Sequence, residues 1–503
     1  MQMDRDLQSI QEVRDLVAKA KAAQAELAEF SQEKIDKICE AIAEAGAKNA
    51  ERLAKMASEE TGFGIWQDKV LKNILGSTLT WNAIKDMKTV GIIKEDKAKH
   101  LMEVAVPMGV VAALIPSTNP TSTVMYKSMI SIKAGNSIVI SPHPNAKNSI
   151  LETYKVVAQA AKSAGAPDGI VQCVTIPSPE GTSALLKHKD VGIILATGGE
   201  AMVRAAYSSG HPALGVGPGN GPSYIEKSAD IKEAVRRIFE SKTFDNGTIC
   251  ASEQSIVTEE CIKDQVIDEV KKQGGYFLSP EESDKLGRFI MRANGTMNPA
   301  IVGRSAKVIA EKVGLSVPEG TRILISPQST VGKDNPYSRE KLCPILALYV
   351  ENDWESACER CMEILHNEGV GHTMTIHSQD ESVIKEFALK KPVSRLLVNT
   401  NGSLGGVGAT TGLAPALTLG CGAMGGSATS DNVGPLNLIN IKRVAYGIKE
   451  LADLRGGNPA PEAPKAGSAP KAAPEPAAEA KGASMLTKED IERITRSILA
   501  KLQ

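Results

Sequence analysis

Cys250 lies in Phe244-Asp-Asn-Gly-Thr-Ile-Cys250-Ala-Ser-Glu-Gln254, after an Asn-Gly turn and before small and polar residues. Structural cysteines usually sit inside apolar periodic runs. A thiol just past a flexible turn can be exposed near backbone N–H donors that favour thiolate, which makes Cys250 a candidate nucleophile. A second polar interruption is Ile115-Pro-Ser-Thr-Asn119-Pro-Thr-Ser-Thr123, at the end of a long apolar run. A side-chain amide there can donate to a developing oxyanion, although the turn also reads as a plain helix cap. Val191–Ala196 leads into Thr197-Gly198-Gly199 and then a helical stretch, Glu200–Tyr207. Helix N-termini at strand ends bind phosphate through free N–H groups; an ordinary βα turn has the same pattern.

Other patterns carry less. Gly420, Gly422 and Gly425 form a GxGxxG, but it follows a Pro-containing segment and leads into no helix start with an apolar face. Cys358 and Cys361 form a lone CxxC in a helical pattern, Trp354–Leu365, and read as half-buried small hydrophobes. No His/Asp/Glu cluster has metal-ligand spacing, so no metal is expected.

The elements that position these groups show in the periodicity. Residues 8–60 read as helices, with apolar positions recurring through Val13, Leu16, Val17 and Ala20 and again through Ile35, Ile38, Cys39 and Ile42, and Ser31 as an N-cap. From about 101, short apolar runs are stopped by Pro, Gly or Asn: Val104–Ile115, Ser137–Ile140, Gly169–Ile176, Val191–Ala196, Ser255–Val257, Ile323–Ile325, Ile345–Val350 and Leu396–Val398. Helical patterns such as Ser149–Ser163 and Glu180–Lys189 lie between them. Alternating strands and helices predict an α/β fold with a largely parallel sheet.

Composition bounds the function. Among 503 residues, 58 Lys+Arg balance 59 Asp+Glu, and aromatics are 4%. That argues against nucleic acid and anionic membranes as partners. No apolar run has the length of a membrane span, and the charged N-terminus does not read as a secretory signal. Eight cysteines are too few for a disulfide scaffold, so a reducing cytoplasm is expected. Residues 456–484 are an exception to the average: 20 of 29 are Ala, Pro or Gly, with no large apolar side chain. They read as an extended, disordered linker.

Ile115–Thr123, Ala196–Gly199, Phe244–Gln254, Glu340-Lys-Leu-Cys-Pro344 and Gly371-His-Thr373 occur in the order and spacing of the aldehyde dehydrogenase superfamily. Glu60-Thr-Gly-Phe-Gly64, Ser141-Pro-His-Pro144 and Ser430–Leu436 add to the match. The chain most resembles the CoA-acylating members of bacterial propanediol and ethanolamine metabolism. The resemblance implies a Rossmann-type cofactor domain at 1–245 with an oligomerisation hairpin near 120–140. It further implies a catalytic domain at 246–430 and an oligomerisation strand region at 431–455, in a dimer or tetramer.

The same resemblance assigns roles. Cys250 would attack the aldehyde, with the oxyanion held by Asn119 and the Cys250 N–H. Hydride would pass to NAD and leave a thioester. Thr197, Gly198 and Gly199 match the cofactor turn, Glu340 the acid at the nicotinamide ribose, and Ser141, Pro142 and His143 the adenosine end. Hydrolytic relatives carry a water-activating Glu where this chain reads Gly215-Val-Gly-Pro-Gly219-Asn220. Without that base, a thiol such as coenzyme A is the expected acyl acceptor. His372 is the remaining general-base candidate. Glu253 is read as a structural hydrogen-bonding group ahead of a tuner of Cys250.

Residues 485–503 form a last piece. Thr487 with Asp490 fits an N-cap, and Ile491, Ile494, Ile498, Leu499 and Leu502 make one apolar stripe. The layout resembles encapsulation peptides that bind microcompartment shell protein, which places the expected enzyme in a compartment lumen of the bacterial cytoplasm. The expected reaction is propanal, CoA and NAD+ to propionyl-CoA and NADH. An acetaldehyde-preferring enzyme, a hydrolytic dehydrogenase and an inactive scaffold of the same fold are the alternatives. A bifunctional alcohol-forming enzyme is not expected, since no iron-dependent second domain is read after 455.

Overall fold

The structure is a computed structural model that describes residues 4–456; the expected tail helix, and the expected linker apart from Gly456, lie outside them. A compact unit extends to Tyr446, and the described residues beyond it hold one short helix, Leu451–Leu454. The N-terminal helices are Arg5–Leu27, Gln32–Lys48 and Ala50–Thr61. Ile35, Ile38, Cys39 and Ile42 are fully buried, as one stripe at 3–4 spacing requires. The Ser31 hydroxyl accepts from the Lys34 N–H, the N-cap read from the sequence.

Three sheets follow. In the small one, β1 (Gly91–Asp96) pairs antiparallel with β2 (Leu101–Pro107). The apolar run Val104–Ile115 is thus two strands, split at Met108-Gly109, where Gly109 takes φ +109°. A five-stranded parallel sheet contains β3 (Val110–Ile115), β4 (Ser137–Pro142), β5 (Val171–Cys173), β6 (Val191–Thr197) and β7 (Ala213–Val216), in the order β5-β4-β3-β6-β7. Its strands are almost continuously buried, which is why they read as apolar runs without alternation.

The third sheet is seven-stranded and parallel. It holds β8 (Pro222–Ile225), β9 (Ser255–Glu259), β10 (Gly275–Phe277), β11 (Ile323–Pro327), β12 (Ile345–Glu351), β13 (Gly371–His377) and β14 (Val393–Val398), in the order β10-β11-β12-β9-β8-β13-β14. Finally β15 (Ile439–Ala445) returns to pair antiparallel with β2.

Two expectations change. Residues 120–140 form no hairpin: Pro120–Lys133 is a helix with every residue buried, and β4 is an inner strand of the five-stranded sheet. Pro120 at its first turn suits a helix start, and the small antiparallel sheet is built from 91–107 and 439–445 instead. The chain also changes sheet between Val216 and Pro222, ahead of 245. The reason is that helix Ile231–Thr243 packs on the seven-stranded sheet, where Ile238 and Phe239 join Ile256 and Leu346 in one core cluster.

This topology makes a crevice. β3 leads outward to β4 and β6 outward to β7, so the carboxyl ends of β3 and β6 flank a switch point. Asn119 follows β3, and Thr197 ends β6. Opposite lie the entry ends of β8, β9 and β13, with Gly217–Asn220 before β8, Cys250 before β9 and His372 at the start of β13.

Candidate active site

Cys250 sits on a strained approach. Asp245 and Asn246 take φ +50° and +51°, and Gly247 follows at +77°. A Cβ on Gly247 would press on the Cys343 amide nitrogen and the Lys242 carbonyl at 3.1 Å, so only glycine fits that turn. Buried Ile249 and Ala251 on either side anchor Cys250, which is itself half-buried. Burial, then the nearby Glu340 carboxylate and Cys421, push the Cys250 thiol up to about 12, although Arg395 pulls the other way. The resting group is therefore a thiol.

Asn119 is fixed by one contact above all: its Oδ1 accepts from the Lys72 ammonium at 2.6 Å. Lys72 also donates to the Thr248 carbonyl and hydroxyl at 3.1 Å each, two residues before Cys250. One buried lysine therefore ties the Asn119 turn to the Cys250 loop.

His372 is fully buried, and burial followed by the Arg395 charge lowers its imidazole to about 3. It is neutral at physiological pH. Its Nδ1 lies 3.0 Å from the Thr373 hydroxyl, and its Nε2 has no partner among the described residues. Arg395 braces this pair by donating to the Thr373 hydroxyl at 3.0 Å and the His372 carbonyl at 3.1 Å.

Gly219 is where these parts meet. A Cβ placed on it would come 1.8 Å from the Cys250 carbonyl oxygen and 3.3 Å from His372 Cε1. Its N–H donates to Glu340 Oε1 at 2.8 Å. Burial and the neighbouring Glu368 raise Glu340 to about 8. Glu253 accepts from the Gly402 N–H at 2.8 Å, the structural hydrogen bond expected of it.

The remaining residues line the other side. Thr197 reaches Thr418 hydroxyl to hydroxyl at 3.2 Å, and Gly199 caps helix Glu200–Tyr207. A Cβ on Gly199 would meet nothing within 4 Å, and one on Gly198 only Met202, so backbone N–H groups are open there to a phosphate-bearing cofactor. Ser141, Pro142 and His143 lie at the end of β4, with Ser141 on Thr182 at 3.2 Å and the His143 Nδ1 accepting from the Asn145 N–H. The Gly420–Gly425 loop is packed protein: Gly420 and Gly422 donate to Asp431 and Thr429, and a Cβ on Gly420 would strike the Thr429 carbonyl. Cys358 and Cys361 are both buried on helix Trp354–Asn367.

Sequence reasoning missed Lys72, Asp245, Thr373 and Arg395. Lysines three apart on a helix read as a solvated face, and an arginine inside β14 carries no motif.

The family model described as "Aldehyde dehydrogenase family" matches residues 6–402. The bifunctional aldehyde-alcohol dehydrogenase of Escherichia coli is 46% identical over 442 residues, 87% of this chain. The chain spans about half the length of that curated relative, since the match covers 50% of it. Among solved structures, a probable aldehyde dehydrogenase from Listeria monocytogenes is 63% identical with a TM-score of 0.89, over 90% of this chain and 100% of that one. An acetylating aldehyde dehydrogenase from Geobacillus thermoglucosidasius is 51% identical with a TM-score of 0.88, over 90% and 99%. A propionaldehyde dehydrogenase from the Clostridium phytofermentans fucose utilisation microcompartment is 27% identical with a TM-score of 0.78, over 86% and 97%. The crevice with its thiol, amide and glycine turn, together with these matches, places the chain in the aldehyde dehydrogenase family.

Proposed function

We propose that the chain is a CoA-acylating aldehyde dehydrogenase, converting a short aldehyde, CoA and NAD+ into acyl-CoA and NADH. The observation that carries the reading is Gly219. The loop facing Cys250 has no carboxylate, and a side chain at 219 would collide with the Cys250 carbonyl oxygen, 1.8 Å from its Cβ. A water-activating acid on this loop segment is thereby excluded at that position, which slows hydrolysis of a thioester and leaves it to a thiol.

The chain's residues act in sequence. The Cys250 thiol gives its proton to solvent and its sulfur attacks the aldehyde carbon, whose oxygen takes up the electron pair of the carbonyl bond. The Asn119 Nδ2–H and the Cys250 N–H hold the oxyanion that forms. NAD+ bound beside Cys250 would supply the hydride acceptor, and CoA the resolving thiol. As the carbonyl reforms, sulfur remains bonded to the acyl group, and Asn119 again holds the oxyanion when the second thiol attacks. Cys250 then leaves as thiolate. With Nδ1–H donating to Thr373, His372 Nε2 carries a free lone pair and takes the proton from the attacking thiol. Thr197, Gly198 and Gly199 would hold the cofactor phosphates, Glu340 the nicotinamide ribose, and Ser141, Pro142 and His143 the adenosine end.

Propanal is the proposed aldehyde, and the resemblance of 485–503 to encapsulation peptides supports it together with location in a microcompartment lumen of the bacterial cytoplasm, bound there to shell protein. A second reading, acetaldehyde, is favoured by 51% identity to an acetylating enzyme against 27% to a propionaldehyde one. Turnover with C2–C5 aldehydes separates them: a kcat/KM maximum at C3 supports propanal and one at C2 acetaldehyde. The proposed homo-oligomer uses the small sheet, whose outer strand β15 has a mostly exposed face including Ile441. NADH formation that depends on CoA tests the acylating activity itself.

A further inference from the structure

We infer that Lys72 is a positioning residue for the oxyanion site: its ammonium selects which end of the Asn119 amide faces the aldehyde oxygen. The inference rests on the proposed thiol-mediated aldehyde chemistry and adds to it a residue outside the oxyanion donors.

An amide has an accepting end and a donating end of nearly the same shape. If the two were exchanged, the Asn119 oxygen would face the developing oxyanion and repel it. An ammonium has donors only, so the group 2.6 Å from Lys72 Nζ must be Oδ1, and Nδ2 must point away. Among the described residues Nδ2 has only a weak partner, the adjacent Thr118 hydroxyl at 3.3 Å, so its donors remain available.

Lys72 is itself held with little freedom. Helix Trp66–Ile74 carries it inward, and its side chain is 2% exposed. The Asp245 carboxylate accepts from Lys72 and, at 2.9 Å, from Lys69. Asp245 also accepts from the Ile65 N–H at 2.7 Å, and its own N–H donates to Asp68 at 2.7 Å. Burial alone would raise Asp245, but Lys72 and Lys69 outweigh it and hold the carboxylate ionised. Burial, opposed by Asp245, lowers Lys72 to about 8, which leaves the ammonium charged at neutral pH. Its remaining bonds, to the Thr248 carbonyl and hydroxyl, place Asn119 and the Cys250 amide on one rigid frame. A lysine needed only to neutralise Asp245 would require no contact with Asn119, since Lys69 already pairs with that carboxylate and donates to the Thr118 carbonyl.

The test is a double-mutant cycle on Lys72→Met and Asn119→Ala, read by the pre-steady-state NADH burst without CoA. Alkylation of Cys250 by iodoacetamide, which passes through no oxyanion, is the control. Each single substitution is expected to slow the burst by about 100-fold or more, in the range of losing one oxyanion donor. The double variant should fall no more than about threefold below Asn119→Ala, because Lys72 acts through Asn119. Alkylation rate and NAD+ affinity should stay within about threefold of wild type. Multiplying effects, or alkylation falling in step with the burst, overturn the inference. Lys72→Gln is read by the same criteria should Lys72→Met not fold, and failure of both to fold also overturns it. A wild-type enzyme with no burst sinks the underlying activity reading, whereas a normal wild-type burst with a normal Lys72→Met burst sinks this inference alone.

Discussion

At rest Cys250 carries its proton. Burial and Glu340 place the thiol near 12, so thiolate is scarce at neutral pH. The sign is direct: thiolate, the reactive form, grows with pH up to that value. The rate of Cys250 alkylation by iodoacetamide in the enzyme without cofactor should therefore rise about tenfold per pH unit from 7 to 9. A plateau reached by pH 8 would contradict that environment. Cys250 and Asn119 were legible in the sequence because each breaks an apolar texture with polar neighbours. Lys72 and Arg395 were not, because their meaning is the acceptor they meet. Lys72 finds Asn119 47 residues away, and Arg395 braces Thr373 from the neighbouring strand. No local spacing encodes either contact.

At the scale of elements, parallel strands β3, β4, β6, β9, β11 and β12 were visible as apolar runs, since both faces are covered and no alternation is needed. β13, Gly371–His377, was hidden by its two histidines and two threonines, all buried by neighbours from β8 and β14. The misplaced hairpin at 120–140 came from the resemblance, and the residues of that segment gave no signal against it. Helix Pro120–Lys133 is buried on every side, so its Ser, Thr and Lys residues give no amphipathic signal. The element most sensitive to substitution is the loop before β8. Gly219→Ala forces a Cβ to within 1.8 Å of the Cys250 carbonyl oxygen, through backbone that has no rotamer to yield. Overpacking of this kind typically costs about 1–3 kcal/mol. A lowered Tm and a burst amplitude below half of wild type are the expected outcome; unchanged Tm and burst would show that the loop can retreat.

The whole molecule places one sheet's carboxyl edge against another sheet's entry edge, and the proposed chemistry occupies the seam. The two sheets supply different halves of it: Asn119 and Thr197 from the first, Cys250 and His372 from the second. The targeting role proposed for 485–503 asks nothing of that seam. Deleting 485–503 should therefore leave kcat and KM within about twofold while abolishing co-localisation with shell protein. Co-localisation that survives the deletion removes the targeting role. In the proposed reaction the acyl-enzyme waits for a thiol because the loop at Gly219 provides no carboxylate to activate water. NADH formation by the full chain, followed with and without CoA, tests this most directly. One burst stoichiometric with enzyme and then near silence is expected without CoA, and sustained turnover to acyl-CoA once CoA is added. Sustained NADH formation at the same rate without CoA, with free acid released, would contradict it.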